Sequence, residues 1–150
     1  MPTLDPALVD SLERFVRAQS DAYAQALVEL RAGHKQTHWI WYVLPQLRAL
    51  GRSPMARYYG MADRREAAAY AAHPVLGPRL IECVLALQAH ADRSAVDMLG
   101  EVDAMKWRSC LTLFALVAPH EPCFLAALST FYGGQLDPQT VRWLDADEAA

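Results

Sequence analysis

Lysine is nearly missing from this 150-residue chain. Of its 14 basic residues, twelve are arginine and only Lys35 and Lys106 are lysine. Against 17 acidic residues this leaves a formal charge of −3, which argues against a protein that coats nucleic acid or a membrane by bulk charge. Cysteine is scarce and odd in number: Cys83, Cys110 and Cys123 do not make a disulfide framework. They read as reduced, buried small hydrophobes of a cytoplasmic protein. The longest apolar stretch without a central charge, 109–119, has eleven residues, against about 20 needed to span a bilayer. The first five residues lack a basic region and an apolar region, so export is not expected. A Gly-rich phosphate loop, a nucleophile elbow and a Cys-x-x-Cys pair are absent, which leaves the common kinase, hydrolase and redox templates without support.

What the sequence has in abundance is apolar residues, 53% of the total, arranged with helical spacing. Asp5-Pro6 is a cap followed by proline at the first helical position, and Leu8, Leu12, Phe15 and Val16 follow on one face. Ser20 predicts the cap of a second helix, with a face of Tyr23, Ala26, Leu27 and Leu30 and a stop at Gly33. Ser53-Pro54 opens a short helix, and Asp63 with Glu66 forms a capping box before an alanine-rich run to Ala72. Leu80, Cys83, Val84 and Leu87 line the next helix, and Ser94 caps a short turn. Asp103 is expected to cap the most apolar helix, from Ala104 to about Val117. Phe124, Leu125, Leu128 and Phe131 mark another face, and Asp137-Pro138 opens a last helix through Trp143. The prediction is one all-α domain, 1–150, of seven to nine short helices, with its core at about 5–145 and an acidic tail that frays from 145.

One stretch departs from the average. Between Glu29 and Asp63 there is no acidic residue, yet Arg31, Lys35, Arg48, Arg52 and Arg57 lie there with His34 and His38. Trp39, Trp41, Tyr42, Tyr58 and Tyr59 share it. Cations that grip oxyanions beside rings that stack on flat groups are the chemistry of nucleotide binding. The plainer reading stands beside it: the run 38–44 is core, and the arginines form a solvated face. His34 and His38, four apart, lack a third ligand at suitable spacing, so no metal and no cofactor is expected. His73 before Pro74 reads as a turn residue or helix cap. In Asp103-Ala-Met-Lys106-Trp107-Arg108-Ser109, the two cations would fall in the first turns of a helix, where the dipole favours an anion. Ordinary pairing with Glu101 and Asp103 is the alternative. A lysine can also lose its proton when desolvated and act as nucleophile or base, which singles out Lys106.

Several motifs occur in a distinctive order: Phe15-x-x-x-Gln19, Gly33-His-Lys35-x-x-His38-Trp39-x-Trp41, Pro45-Gln46-Leu47, Leu50-Gly51-x-Ser53-x-Met55-Ala56, His73-Pro74-x-Leu76-Gly77-x-Arg79-Leu80 and Lys106-x-Arg108-Ser109. Together they resemble a bacterial domain-of-unknown-function family sometimes mislabelled calpastatin. The resemblance spans roughly 12–144 and implies a compact, all-helical fold; it brings no activity with it. Calpastatin itself is disordered, which this apolar, capped sequence is not. The Lys106-Trp107 pair is also similar to a lysine-aromatic pair on a late helix of small bacterial proteins that cleave ADP-ribose from modified guanine, and implies chemistry at a ribose.

The functional expectation is a small anionic, nucleotide-like ligand held between 33–58 and the start of the 103–117 helix. Lys35, Arg57, Lys106, Arg108 and Ser109 would hold the anion, Trp39, Trp41 or Tyr42 would stack, and His38 and Lys106 would be the catalytic candidates. Its enzymatic form is N-glycosidic or phosphate-ester hydrolysis of an ADP-ribose-like substrate. The rival is a non-enzymatic interaction module, or a symmetric dimer, using the basic and aromatic surface of 31–59. RNA binding through the same stretch is disfavoured by the net acidity.

Overall fold

In the computed structural model, which describes residues 5–149, Asp5 and Pro6 open a helix as their order predicts. The Asp5 carboxylate accepts from the N–H of Ala7, and α1 runs from Pro6 to Ala32 without a break. The second helix predicted to start at a Ser20 cap is therefore not separate but the continuation of α1. Leu12, Phe15, Gln19, Ala26 and Leu30 form one continuous buried stripe, and Ser20 lies on the solvent face, where a helix tolerates it. The polar member of the stripe, Gln19, is satisfied by donating to Tyr42 O at 2.7 Å and to the Tyr70 hydroxyl at 3.0 Å. Gly33 ends α1 at φ 70°, a left-handed conformation that glycine adopts without steric cost.

Short elements follow: α2 (Ile40–Val43), a 3-10 turn at Arg48–Leu50 and α3 (Pro54–Tyr58). Leu47 and Met61 pair as a single parallel bridge, with Arg48 N–H on Met61 O and Met61 N–H on Gln46 O. This folds 46–61 into a lobe whose ends meet. Gly60 permits the closure, since a Cβ there would lie 2.3 Å from Arg48 Cα. The capping box opens α4 (Arg64–Ala72) with a variation: Asp63 accepts from the Glu66 N–H, and Glu66 reaches back to Ala62 N–H at 2.8 Å. Glu66 also receives Ser11 and both terminal nitrogens of Arg14. Burial opposes its ionisation, and these donors outweigh that and hold its pKa below the ordinary value.

The second half is a layer of helices around one centre. α5 (Leu76–Gln88) buries Leu80, Cys83, Val84 and Leu87 as predicted, and Ser94 caps α6 (Ala95–Leu99). α7 (Glu101–Val117) is the central helix, packed against α4, α6, α8 and α9. Here α8 is Cys123–Tyr132 and α9 is Pro138–Ala149. Every residue of α7 from Ser109 to Ala115 is buried, the pattern of a helix with no solvent face. Two expectations change here. Asp103 does not cap α7, which begins two residues earlier behind Gly100. On α8 the inward face is Cys123, Phe124, Ala127 and Leu128, while Leu125 points to solvent. α9 opens at Asp137-Pro138, with Asp137 accepting from Thr140 N–H, and continues past Trp143 through the acidic residues expected to fray. Asp147 accepts from Arg64 N–H, and Glu148 lies 3.9 Å from the Arg64 guanidinium. Residues 1–4, part of the segment read for an export signal, and Ala150 lie outside the described residues.

The outcome is one all-α domain with nine helices among the described residues and no sheet beyond the single bridge. No helix of these residues is long and apolar enough to cross a membrane. All three cysteines are free and buried, and burial pushes the Cys83 and Cys123 thiols up to about 12, so neither supplies a thiolate at neutral pH.

His73 acts as the cap that its place before Pro74 suggested: its Nδ1 accepts from Val75 N–H at 3.1 Å and Leu76 N–H at 3.2 Å. Burial lowers its pKa from the ordinary 6.5, with Glu13 opposing. The folded state therefore disfavours the proton, and the stabilisation is present above about pH 6.5 and lost as the pH falls through the lowered value. Urea denaturation at pH 7.5 and pH 5.5 is expected to show that loss in the wild type and a smaller one in His73→Asn, whose amide oxygen accepts without titrating.

Candidate functional site

The path of the acid-free stretch is set by the last carboxylate before it. Glu29 sits in the final turns of α1, where the helix dipole disfavours a negative charge, and it is 3% exposed. Its Oε1 accepts from Gln36 N–H at 2.7 Å, Thr37 N–H at 2.8 Å and the Trp39 indole N–H at 3.0 Å. Its Oε2 accepts from the Thr37 hydroxyl at 2.6 Å and the Gln25 amide at 3.0 Å. Burial works against ionisation, and the hydrogen bonds led by Thr37 outweigh it and hold the carboxyl at about 2. Sequence reasoning passed over Glu29; the only signal was that it borders the stretch without carboxylates.

That carboxylate places Trp39 in the core, 1% exposed, so its ring does not face a ligand. Lys35 follows it inward. Its ammonium lies 2.8 Å from Asp103 Oδ2 and 5.1 Å from the Trp39 ring centroid, with its side chain 7% exposed. Asp103, freed from capping α7, thus neutralises the first of the two lysines. Lys35 is a buried bridge between the loop after α1 and the start of α7, not an open anion contact.

Lys106 has a different setting. It lies three residues after Asp103 on α7, and no ion pair among the described residues includes it. Its ammonium stands 5.7 Å from the ring centroid of Trp41. It forms part of the wall of a cavity of about 550 Å³ between the 46–56 lobe and α7. Leu50, Ala56, Val102 and Met105 give that cavity apolar walls. Arg52, Ser53, Gln46 and Gln139 add polar ones, and Arg52 too is outside every ion pair among the described residues.

Arg108, Ser109 and Asp137 complete the cavity but are committed to structure. Arg108 donates to Gln135 O at 3.0 Å and Leu136 O at 2.7 Å, pinning the turn before α9. Ser109 donates to Asp137 Oδ2 at 3.1 Å, and the same oxygen accepts from Thr140 N–H and the Thr140 hydroxyl. With α7 starting at Glu101, Lys106 and Arg108 lie beyond its first turn, where the dipole has faded. The charge in this cleft comes from side chains.

The remaining candidates sit elsewhere. His38 is exposed, with the Tyr42 hydroxyl donating to its carbonyl at 3.2 Å, and it does not line the cavity. Tyr42 packs edge-on against Tyr59 at 5.1 Å, and Tyr59 leads through Phe15 to Tyr70, so these rings form a ladder into the core. Arg57 is exposed and reaches Gly51 O at 3.5 Å, and Arg31 pairs with Glu82. No group of three His, Cys, Asp or Glu side chains among the described residues is placed to hold a metal ion. Of the residues singled out in the sequence, the fold brings Lys106, Arg108 and Ser109 to one cleft, with Trp41 adjoining Lys106. Arg52, which spacing did not distinguish from its neighbours, joins them.

The fold has relatives. The chain is similar to a solved structure, the conserved hypothetical protein Rv1873 from Mycobacterium tuberculosis, at 45% identity and a TM-score of 0.88, covering 89% of this chain and 96% of that one. No curated protein matches it. The sequence model of the family described as "Protein of unknown function (DUF1810)" matches residues 9–144, and the chain belongs to that family.

Proposed function

We propose that the cleft between the 46–56 lobe and α7 binds a small anionic ligand of nucleotide type in the cytoplasm. The observation that carries this reading is the position of Lys106: an ammonium without a carboxylate partner, in the wall of a concave, mainly apolar cavity of about 550 Å³. Cavities of this size and mixed lining are where small molecules bind. Arg52 is the second cation, and Leu50, Val102 and Met105 offer apolar surface to a flat group.

Binding has more support than hydrolysis. Asp137, in the wall of the cleft, spends Oδ2 on Ser109 and Thr140, and His38 lies away from the cavity. The similarity of Lys106-Trp107 to ADP-ribose-cleaving proteins makes ADP-ribose and NAD the first compounds to try. A second reading has its own observation. Val102 and Met105 are 66% and 72% exposed at the mouth of the cleft, and Tyr58 is 60% exposed, which suits a partner protein or a second copy of this chain.

A thermal-shift panel of ADP-ribose, NAD, ADP and inorganic phosphate tests the ligand reading. A ligand at a hundred times its Kd stabilises by about 2.7 kcal/mol, a rise in Tm of roughly 5–10 °C for a chain of this length. Lys106→Ala is expected to remove most of that rise. Lys35→Ala is expected to lower the starting Tm and keep the rise, because its partner is Asp103. No shift with any compound, together with sedimentation that depends on concentration, would favour the interaction reading.

A further inference from the structure

Below the cleft lies a much smaller recess that shares Gln46, Ala56 and Lys106 with it. Its volume is about 10 Å³, room for one oxygen-sized atom. Ile40 and Leu44 make it apolar, and Trp41 forms part of its wall. The indole nitrogen of Trp41 is buried and has no hydrogen-bond acceptor among the described residues. A buried N–H without an acceptor weakens a fold, so its retention here is worth a reason. The nearest named cation is Lys106, with its ammonium 5.7 Å from the centre of the same ring. Two donor-bearing side chains, one neutral and one charged, thus line a small recess sized for a single acceptor atom, together with Gln46 and Tyr59. Trp107 has an unpartnered indole nitrogen too, but it is fully buried against Phe131 and Tyr132 and lines neither cavity.

We propose that the recess is a socket for one oxygen of a phosphoryl group, which accepts from the Trp41 indole N–H and the Lys106 ammonium. The other phosphoryl oxygens remain in the outer cleft beside Arg52, and the rest of the ligand lies along Leu50 and Met105. The inference rests on the cleft being a ligand site and adds what it selects: a terminal phosphoryl group, with the group attached to it only weakly discriminated. Trp41 acts through its N–H and not by stacking.

The test follows the four indole N–H signals of the protein labelled with ¹⁵N-tryptophan and the Met105 methyl signal, with inorganic phosphate, ADP and adenosine as probes. Phosphate and ADP are expected to move the Trp41 indole signal, and adenosine to leave it in place. Trp41→Phe is expected to stay folded and to bind ADP about ten- to a hundredfold more weakly. If ADP moves Met105 but not the Trp41 indole, the socket is overturned and the cleft reading stands. If neither signal moves with any probe, both are overturned. Unchanged ADP affinity in Trp41→Phe would also overturn the socket, and should that variant not fold, the wild-type indole signal decides.

Discussion

Five hydrogen bonds converge on the carboxylate of Glu29, and they hold the path of the chain from the end of α1 into α2. The loop amides of Gln36 and Thr37 lose water when the loop packs down, and a carboxylate with two oxygens satisfies both along with the Thr37 hydroxyl. The same group fixes the Trp39 indole, which pulls the ring into the core. Once Trp39 is anchored, Lys35 has Asp103 within reach, and the loop is tied to the start of α7. The position of α7 in turn brings Lys106 beside Trp41 and under the 46–56 lobe. A buried charge at the C-terminal end of a helix is costly by itself. Here it is the price of shaping a loop that has no regular structure of its own.

The charge pattern of the segment takes a different meaning in three dimensions. Five cations with no acidic neighbour in sequence suggested one open anion site. In the fold, carboxylates arrive from other elements: Asp103 from α7 reaches Lys35 and Glu82 from α5 reaches Arg31. On the far side of the lobe, the buried Glu66 gathers Arg14 and Ser11 in the same manner as Glu29 gathers its donors, and Arg14 also holds the carbonyls of Tyr58 and Gly60. Glu29 thus holds the chain at 36–39 ahead of the lobe, and Glu66 with Arg14 holds its end at Tyr58 and Gly60. Of the five cations, Arg48, Arg52 and Arg57 are in no ion pair among the described residues, and of these three only Arg52 lines the cleft, where Lys106 from α7 joins it.

Local signals carried much of the fold because capping and amphipathic spacing act within a turn or two. Asp5-Pro6, Ser53, Ser94 and Gly33 each do in the structure what their chemistry suggests. The same locality explains the misses. Ser20 resembles a cap, but the stripe from Leu12 to Leu30 continues through it with Gln19 as a buried polar member, and only the partners on α2 and α4 reveal why. Asp103 has the right side chain for a cap, yet its partner is 68 residues away at Lys35. Trp39, Trp41 and Tyr42 are near-identical in sequence terms, and the fold gives them three settings: core, the wall of a recess, and an aromatic ladder. Of the region singled out, 33–58 against the start of α7, the fold brings residues 46–56 and Lys106 to the walls of one cavity. The exclusion of Lys35, Trp39, Tyr42, Arg57 and His38 from the cleft depends on long-range packing that spacing does not encode.

In the proposed ligand site Lys106, and not Lys35, presents the open positive charge, in a cleft whose shape depends on the Glu29 network. A crystal structure of the protein grown with ADP tests it most directly. Electron density for the ligand is expected between the 46–56 lobe and α7, with a phosphoryl oxygen within hydrogen-bond distance of Lys106 Nζ and the Lys35–Asp103 pair undisturbed. Density for the ligand at Lys35 with Asp103 displaced, or at His38 on the open surface, would contradict it.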